Sequence, residues 1–595
     1  MSAVALPSVE SPTLDARALD ARALDARALD TKITSRAELD RLVAGLRDHA
    51  AGWLAVPLRR KMDYVQAMIE GVAAVAPRVV AAAVEAKGME PGDSRAAEDW
   101  IAGPVVILRT LRILKETMAQ IEATGRVGIE PHQVHTRPDG QLVVDVMPEG
   151  AYDRILYNGF TAEVWQQPHV TRLNLDAHMG GVLTKPETAK PAVALVLGAG
   201  NVASIGPLDV MTKLFQEGQV CLLKWNPVND YLGPLFAEAF ADLIRDGFLQ
   251  MTYGGADVGA YLVEHPGIDE IHITGSARTH DVIVFGPGEE GAKRKAANRP
   301  RLQKRITSEL GNITPIIIMP GVWNRADLQF HAESVATMMT QNGGFNCNAA
   351  KVLVTHADWP QREAFLDRLR SVLRSLEGRP AYYPGALDRF RQFVDTYPDA
   401  NLLGPGAVPP TLIVDVDTER KSQLAFEMEA FCQVTAEVAL TGHGPAGFLK
   451  RAVAFCNDRL SGTLAAGIVV DDALRGTLDL EARYTVEDAI ADLRYGGIAL
   501  NHWPGVCYGL GSTPWGAFPG HTLDDIQSGI GMVHNAKLFD AAQKSVVRGP
   551  FRYLPKPPWF VTHTHAAEVG ERLVDFEADP TPAKLPGIFA FAVRG

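Results

Sequence analysis

Between Ser35 and about Gly125, apolar residues return at threes and fours: Leu39, Leu42 and Leu46, then Tyr64, Met68, Val72 and Val75, then Ile107, Leu108, Leu111 and Leu114. That spacing predicts helices that each bury one stripe. The segment before them repeats Ala-Leu-Asp-Ala-Arg and sets leucines five apart, at Leu14, Leu19, Leu24 and Leu29. A five-residue step turns roughly 140° around a helix, so these leucines form no common face. A frayed helical tail is expected there. A turn at Pro138-Asp139-Gly140 precedes the run Leu142 to Val146, and Ala151 to Trp165 is strand-like in composition, which together predict a small antiparallel excursion.

From Pro191 the pattern changes to short apolar runs alternating with helical stretches. Strands are expected at Ala192 to Leu197, Val220 to Lys224 and Glu270 to Thr274, with helices near Pro207 to Glu217 and Leu235 to Asp246. Strands separated by helices of this length argue for parallel βαβ units. A second alternating block from Pro315 to about Val470 implies another α/β lobe. After Gly497 the chain is rich in Gly, Pro and aromatics, and a tail begins near Pro550.

Composition narrows the classes. A chain of 595 residues with 47% hydrophobic and 22% charged side chains can bury a large core and is no single small module. The net charge of −12 is the wrong sign for tracking phosphates, so nucleic acid is not an expected partner. Five scattered cysteines, Cys221, Cys347, Cys432, Cys456 and Cys507, make neither a disulfide framework nor a CxxC zinc pair. Glu10, Asp15 and Arg17 stand where a signal peptide would need an apolar stretch. A cytoplasmic protein without a membrane segment is expected.

Gly198-Ala199-Gly200-Asn201-Val202-Ala203 matches G-x-G-x-x-G/A between a predicted strand and helix, where a pyrophosphate loop would lie. The acid expected at the end of the next strand is missing: that stretch reads Leu222-Leu223-Lys224-Trp225-Asn226-Pro227. Either the match is fortuitous or this unit treats a nucleotide differently.

Further motifs follow in one order: Ile271-His272-Ile273-Thr274-Gly275-Ser276, Ser308-Glu309-Leu310-Gly311-Asn312, Asn342-Gly343-Gly344-Phe345-Asn346-Cys347-Asn348, and Glu427-Met428-Glu429-Ala430-Phe431. Together with Pro514-Trp515-Gly516 they resemble the aldehyde dehydrogenase superfamily over roughly residues 35 to 550. The resemblance implies a two-lobed α/β fold: an N-terminal extension over 1–34, a Rossmann-like cofactor domain over 35–306 with an oligomerisation hairpin at 138–168, a catalytic domain over 307–497, and a return with a C-terminal tail over 498–595. It implies NAD or NADP as cofactor, a small-molecule aldehyde as substrate and a homodimer or homotetramer.

It also implies roles. Cys347 is the nucleophile that makes the carbonyl carbon tetrahedral and later carries a thioester; a cysteine buried for packing is the alternative. Gly343 and Gly344 open the backbone beside it, and Asn346 and Asn348 argue against a sealed apolar core. Glu309 is the base that activates water, with a flexible glycine close by at Gly311. Asn201 offers its amide, with the Cys347 N–H, to the oxyanion, or else caps the helix near Pro207. Gly275 and Ser276 form a phosphate-contacting turn at a helix start, where Ser also makes an ordinary cap. Lys224 reaches the adenosine ribose, and Glu429 and Phe431 hold the nicotinamide ribose and ring.

Several positions depart from the family pattern. Pro227 stands where many NAD-preferring relatives have a glutamate, Asn312 replaces a second glycine, and Cys432-Gln433 follow Phe431. These leave NAD against NADP open. An acyl-thioester reductase using the same cysteine and a catalytically silent relative are the competing readings. His563 and His565 would share one strand face, but two imidazoles are an incomplete metal site, and no metal is expected. The substrate tunnel is expected to take walls from the region of Trp503 to Trp515 and from the aromatic tail.

Overall fold

The computed structural model describes residues 33–481 and 484–595. The Ala-Leu-Asp-Ala-Arg repeat lies outside the described residues. The predicted stripes form helices Arg36–Ala55, Leu58–Ala86 and Val106–Thr124, which bury Leu39, Leu46, Met68, Val72, Ile107 and Leu111. Ser35 caps the first of them by accepting from the Glu38 N–H, and Trp53 anchors it to the first lobe by donating Nε1 to Leu214 O at 2.9 Å. Leu58–Ala86 is long and apolar enough to cross a membrane, but half of its most apolar stretch is buried inside the protein.

Among the described residues, nineteen strands form three sheets. In chain order they are β1 (Val134–Thr136), β2 (Leu142–Met147), β3 (Thr161–Gln166), β4 (Val193–Leu197), β5 (Val220–Lys224), β6 (Leu249–Thr252), β7 (Glu270–Gly275), β8 (Arg305–Leu310), β9 (Thr314–Ile318) and β10 (Ala350–His356). They continue with β11 (Asn401–Leu402), β12 (Thr411–Ile413), β13 (Val434–Leu440), β14 (Ala465–Val469), β15 (Gly497–Leu500), β16 (Trp515–Gly516), β17 (Gly529–Ile530), β18 (Met532–Val533) and β19 (Ala542–Arg548).

One sheet has the order β17-β8-β7-β4-β5-β6 and is parallel except for β17. Val193 to Val196 and Val220 to Leu223 have no measurable exposure, as expected of strands covered on both faces. The second sheet has eleven strands, β1-β2-β3-β19-β15-β14-β9-β10-β13-β12-β11, parallel from β19 through β12. The fold class expected from the motifs, two α/β lobes with a Rossmann-like first lobe, is the one observed.

Details differ from expectation. Ala151–Leu156 is a helix: Asp153 accepts locally from the Glu149 N–H at 3.1 Å and, in a tertiary contact, from Arg109 at 2.9 Å, which together override the strand-like composition. The hairpin strands β2 and β3 are not a detached element, since β3 pairs antiparallel with β19 at the end of the eleven-stranded sheet. The boundary expected at 306/307 falls inside β8, which belongs to the first lobe's sheet.

The tail folds back as helices Ala566–Ala578 and Leu585–Ala592. Glu577, 1% exposed, accepts from Arg112 at 2.6 Å and from Arg109 at 3.3 Å, which fastens the tail to the third N-terminal helix. Tyr553 and Phe560 pack on Phe330 in the catalytic lobe's helix Arg325–Thr340, away from the central cleft. The tail therefore braces the lobes.

Candidate active site

Parallel sheets gather their functional loops at the carboxyl ends of the strands. Here a cleft of about 1330 Å³ opens at those ends, and Asn201, Lys224, Gly275, Ser276, Glu309, Cys347, Glu429 and Phe431 all line it. Every residue selected from the sequence reaches the same cavity.

Cys347 sits in the loop between helix Arg325–Thr340 and β10, with its carbonyl accepting from Thr314 Oγ1 at 3.4 Å. Of the five cysteines it alone is not fully buried. Its thiol faces the Glu309 carboxylate. Burial, and then the facing Glu309 charge, push the thiol well above its ordinary range, so the resting sulfur carries its proton. Burial likewise raises Glu309, and its Oε2 has no hydrogen-bond partner. An unpaired buried carboxylate oxygen is costly and is available to accept a proton.

Two details of the sequence reading need correction. Asn346 and Asn348 are 5% and 7% exposed, so their polarity does not mark an open site. Asn346 Nδ2 is instead held by Gln341, at 3.2 Å from its Oε1. Gly311 is also not a hinge. A Cβ there would lie 2.1 Å from Glu429 Oε2, so glycine is required for the Glu429 carboxylate to approach the Glu309 strand.

Asn201 does not cap the following helix, whose N-cap is Ser204. It is 7% exposed, and one amide N–H donates to Phe345 O at 2.9 Å, which leaves the other N–H for the cleft. Gly200 allows this turn: a Cβ there would meet Asn226 Oδ1 at 2.7 Å. Ser276 caps helix Ala277–Phe285 by accepting from Thr279 N at 3.2 Å, and Gly275 and Ser276 are exposed at the cleft wall. Lys224, 8% exposed, donates to Trp225 O at 3.2 Å, and burial lowers its ammonium from the usual range.

Burial pushes Glu429 up to about 7, and its Oε1 is unpartnered. Phe431 has φ +40°, and its carbonyl accepts from Arg389 at 3.2 Å. The cleft thus offers a helix amino terminus for an anion, a lysine, a buried carboxylate oxygen in want of a hydroxyl, and an aromatic face. This donor set fits an elongated dinucleotide. Among the described residues no group of three His, Cys, Asp or Glu could hold a metal ion, and His563 faces Ala592 O.

Positioning residues were missed. Asn342, at φ +53°, donates Nδ2 to Asn201 O at 2.9 Å and accepts from Lys87 and the Tyr382 hydroxyl at 2.9 Å each. It couples Asn201 to the Cys347 loop, and its place in Asn342-Gly343-Gly344 was the available signal. Lys351, 4% exposed, donates to Cys432 O at 2.7 Å and to Gly344 O at 3.2 Å, and so ties the Cys347 loop to the Phe431 loop. Its position on an apolar strand gave no signal. Trp503 donates to Asn348 O at 3.1 Å, so it supports the Cys347 loop.

Residues 211–384 match the model of the aldehyde dehydrogenase family. Over that segment the chain resembles the aldehyde dehydrogenase superfamily. It is 26% identical over 282 residues to aminoacetaldehyde dehydrogenase of Pseudomonas aeruginosa, covering 44% of this chain and 49% of that one. It is 29% identical over 175 residues to aldehyde dehydrogenase LUC3 of a Fusarium species, covering 29% and 34%. The alignments thus span a third to a half of these aldehyde dehydrogenases. In fold it is similar to the Mycobacterium tuberculosis aldehyde dehydrogenase solved with NAD+, with TM-score 0.58 and 18% identity over 88% of this chain and 92% of that one. It is also similar to the NADP-dependent glyceraldehyde-3-phosphate dehydrogenase of Bacillus halodurans solved with NADP, with TM-score 0.57 and 17% identity over 86% and 91%.

Proposed function

We propose that this protein oxidises an aldehyde to its carboxylic acid with NAD or NADP. The observation that supports it most is the convergence of Cys347, Glu309, Asn201 and Glu429 on one cleft, with the buried Glu309 carboxylate facing the thiol. The family match and the nicotinamide cofactors of the similar structures point the same way.

Glu309 takes the Cys347 proton as sulfur bonds to the aldehyde carbon. The oxyanion that forms is met by the free amide N–H of Asn201 and the N–H of Cys347; one such donor contributes about 3 kcal/mol. Lys224, Gly275, Ser276, Glu429 and Phe431 would hold the nicotinamide cofactor, which when bound supplies the electron acceptor. Pro227 puts no carboxylate three residues after Lys224, so neither NAD nor NADP is rejected at that position. Glu309 releases that proton to solvent before the second half of the cycle, in which it takes a proton from water, the water oxygen bonds to the thioester carbon, the C–S bond breaks, and Cys347 leaves as thiolate and recovers its proton from Glu309. A homodimer or homotetramer is part of this reading and is checked by sedimentation.

Single-turnover kinetics of the wild type, Cys347→Ala and Glu309→Gln with an aldehyde panel and both cofactors test the assignment. Cys347→Ala is expected to bind cofactor and form no NAD(P)H. Glu309→Gln is expected to accumulate a thioester and lose turnover by about 100-fold or more. Acid production by Cys347→Ala overturns the mechanism, and reduction of acyl-CoA without any aldehyde oxidation favours a reductase.

A further inference from the structure

Behind Glu309 the first lobe's sheet presents an unusual polar face. Parallel register sets Glu270 against Arg305, His272 against Thr307 and Thr274 against Glu309. The two-residue period of a strand points all six side chains to the same side. Helix Ile205–Met211 and the π-turn Thr212–Gln216 that continues it lay Asp209 and Lys213, one turn apart, across this face.

The contacts are continuous. The Lys213 ammonium lies between Thr307 Oγ1, at 3.1 Å, and Glu270 Oε1, at 2.5 Å. Thr307 Oγ1 lies 2.9 Å from His272 Nδ1. Asp209 receives the Thr274 hydroxyl on Oδ2 at 3.0 Å, and on Oδ1 it faces Nε2 of His534 at 3.1 Å and Nε2 of His272 at 3.5 Å. Asp209, His272 and His534 are all essentially unexposed. Thr274, which holds Asp209, is the cross-strand neighbour of Glu309. Burying this many charges costs stability relative to a packed apolar face, and structure alone does not require them.

The groups facing Glu309 can be named from every side. Cys347 and Glu429 face it from the catalytic lobe, His534 and Trp515 from the returning segment, and Asp209 from the helix. Burial drives Asp209 toward protonation, and the imidazoles of His272 and His534 overcome this, holding its carboxyl below the ordinary range. The Tyr508 ring packs edge-on to His534 at 4.8 Å, while its hydroxyl is engaged by Ser204 Oγ at 2.5 Å.

We propose that Asp209, held by Thr274 and His534, sets how readily Glu309 accepts a proton, which makes Asp209 a positioning residue for hydrolysis of the Cys347 thioester. This rests on the reading of Glu309 as the base. The Asp209 anion favours the protonated form of Glu309 and so strengthens it as a base; His534 and Thr274 fix that carboxylate in place. A unit charge at neighbouring side-chain spacing, in an effective dielectric of about 20, moves a titration by about one to two pH units.

The test is the pH dependence of turnover in Asp209→Asn, Asp209→Glu and Thr274→Val. Asp209→Asn is expected to move the acid limb of turnover about one pH unit lower and to slow turnover about 10-fold, whereas Asp209→Glu, which keeps the charge, is expected to keep the limb in place. An unmoved limb in Asp209→Asn overturns the proposal; a merely structural role predicts loss of turnover with the limb in place. Should Asp209→Asn fail to fold, Thr274→Val, which removes the hydroxyl that holds Asp209 beside Glu309, decides by the same limb: a downward shift supports the proposal and an unmoved limb overturns it. If Glu309→Gln retains wild-type deacylation, the base assignment itself fails. If Glu309→Gln arrests deacylation while the Asp209→Asn limb stays put, only the role of Asp209 fails.

Discussion

Substituting Gly311 by alanine probes the cofactor side of the cleft with a single methyl group. The added Cβ would stand 2.1 Å from Glu429 Oε2, more than 1 Å inside ordinary van der Waals contact. The clash is with the end of a flexible side chain, and the glycine has no positive φ, so the fold can absorb the change while the carboxylate retreats. A retreat of that size breaks a charge-assisted hydrogen bond from a bound ribose to Glu429. Such bonds contribute about 1.5–3 kcal/mol, so the Kd for NAD or NADP should rise between about 10- and 150-fold. Calorimetric or fluorescence titration of both cofactors measures this. Melting temperature and the Cys347 alkylation rate serve as controls expected to change little. Glu429→Ala should give a similar loss, and Gly311→Ala combined with Glu429→Ala should lose little more than either alone. Wild-type affinity in Gly311→Ala, or strict additivity in the double variant, would refute the placement of Glu429 against the cofactor.

Two further outcomes concern stability. His331 is 1% exposed among Trp323, Phe330 and Phe551, and burial lowers its pKa to about 3. The unfolded chain, with this residue near 6.5, binds the proton first, so stability is lost as pH falls below about 6.5, by about 2 kcal/mol at pH 5. Urea titrations of His331→Leu should show a shallower acid limb than the wild type; an identical limb rejects the assignment. Glu577→Ala leaves buried Arg109 with Asp153 as its one remaining carboxylate partner and frees Arg112 from the tail. A cost of about 3–5 kcal/mol is expected in denaturant melts, with proteolysis beginning in the tail helices. A wild-type melt would show that the latch is dispensable.

The apolar periodicities determined much of this molecule without reference to its partners. Stripes at Leu39-Leu46 and Ile107-Leu114 could satisfy themselves only as one-sided helices, and the runs at Val193 and Val220 only as strands covered on both faces. The chemistry-bearing residues were legible for a related reason: a thiol among glycines at Cys347, or Glu309 ahead of Leu310-Gly311, is a local pattern that can be read along the chain.

What the linear pattern withheld was everything set by neighbours distant in sequence. Ala151–Leu156 is helical in part because Arg109, far earlier in the chain, holds Asp153. Gly311 is glycine because Glu429, more than a hundred residues later, needs the space. Asp209, His272 and His534 each look unremarkable in their own segments, and only the register of β7 with β8 and the fold-back of the last segment set them beside Glu309. Local propensity is a property of a few consecutive residues. Desolvation, excluded volume and Coulomb interaction depend on distances through space, and those came into being only when the two lobes closed on one another.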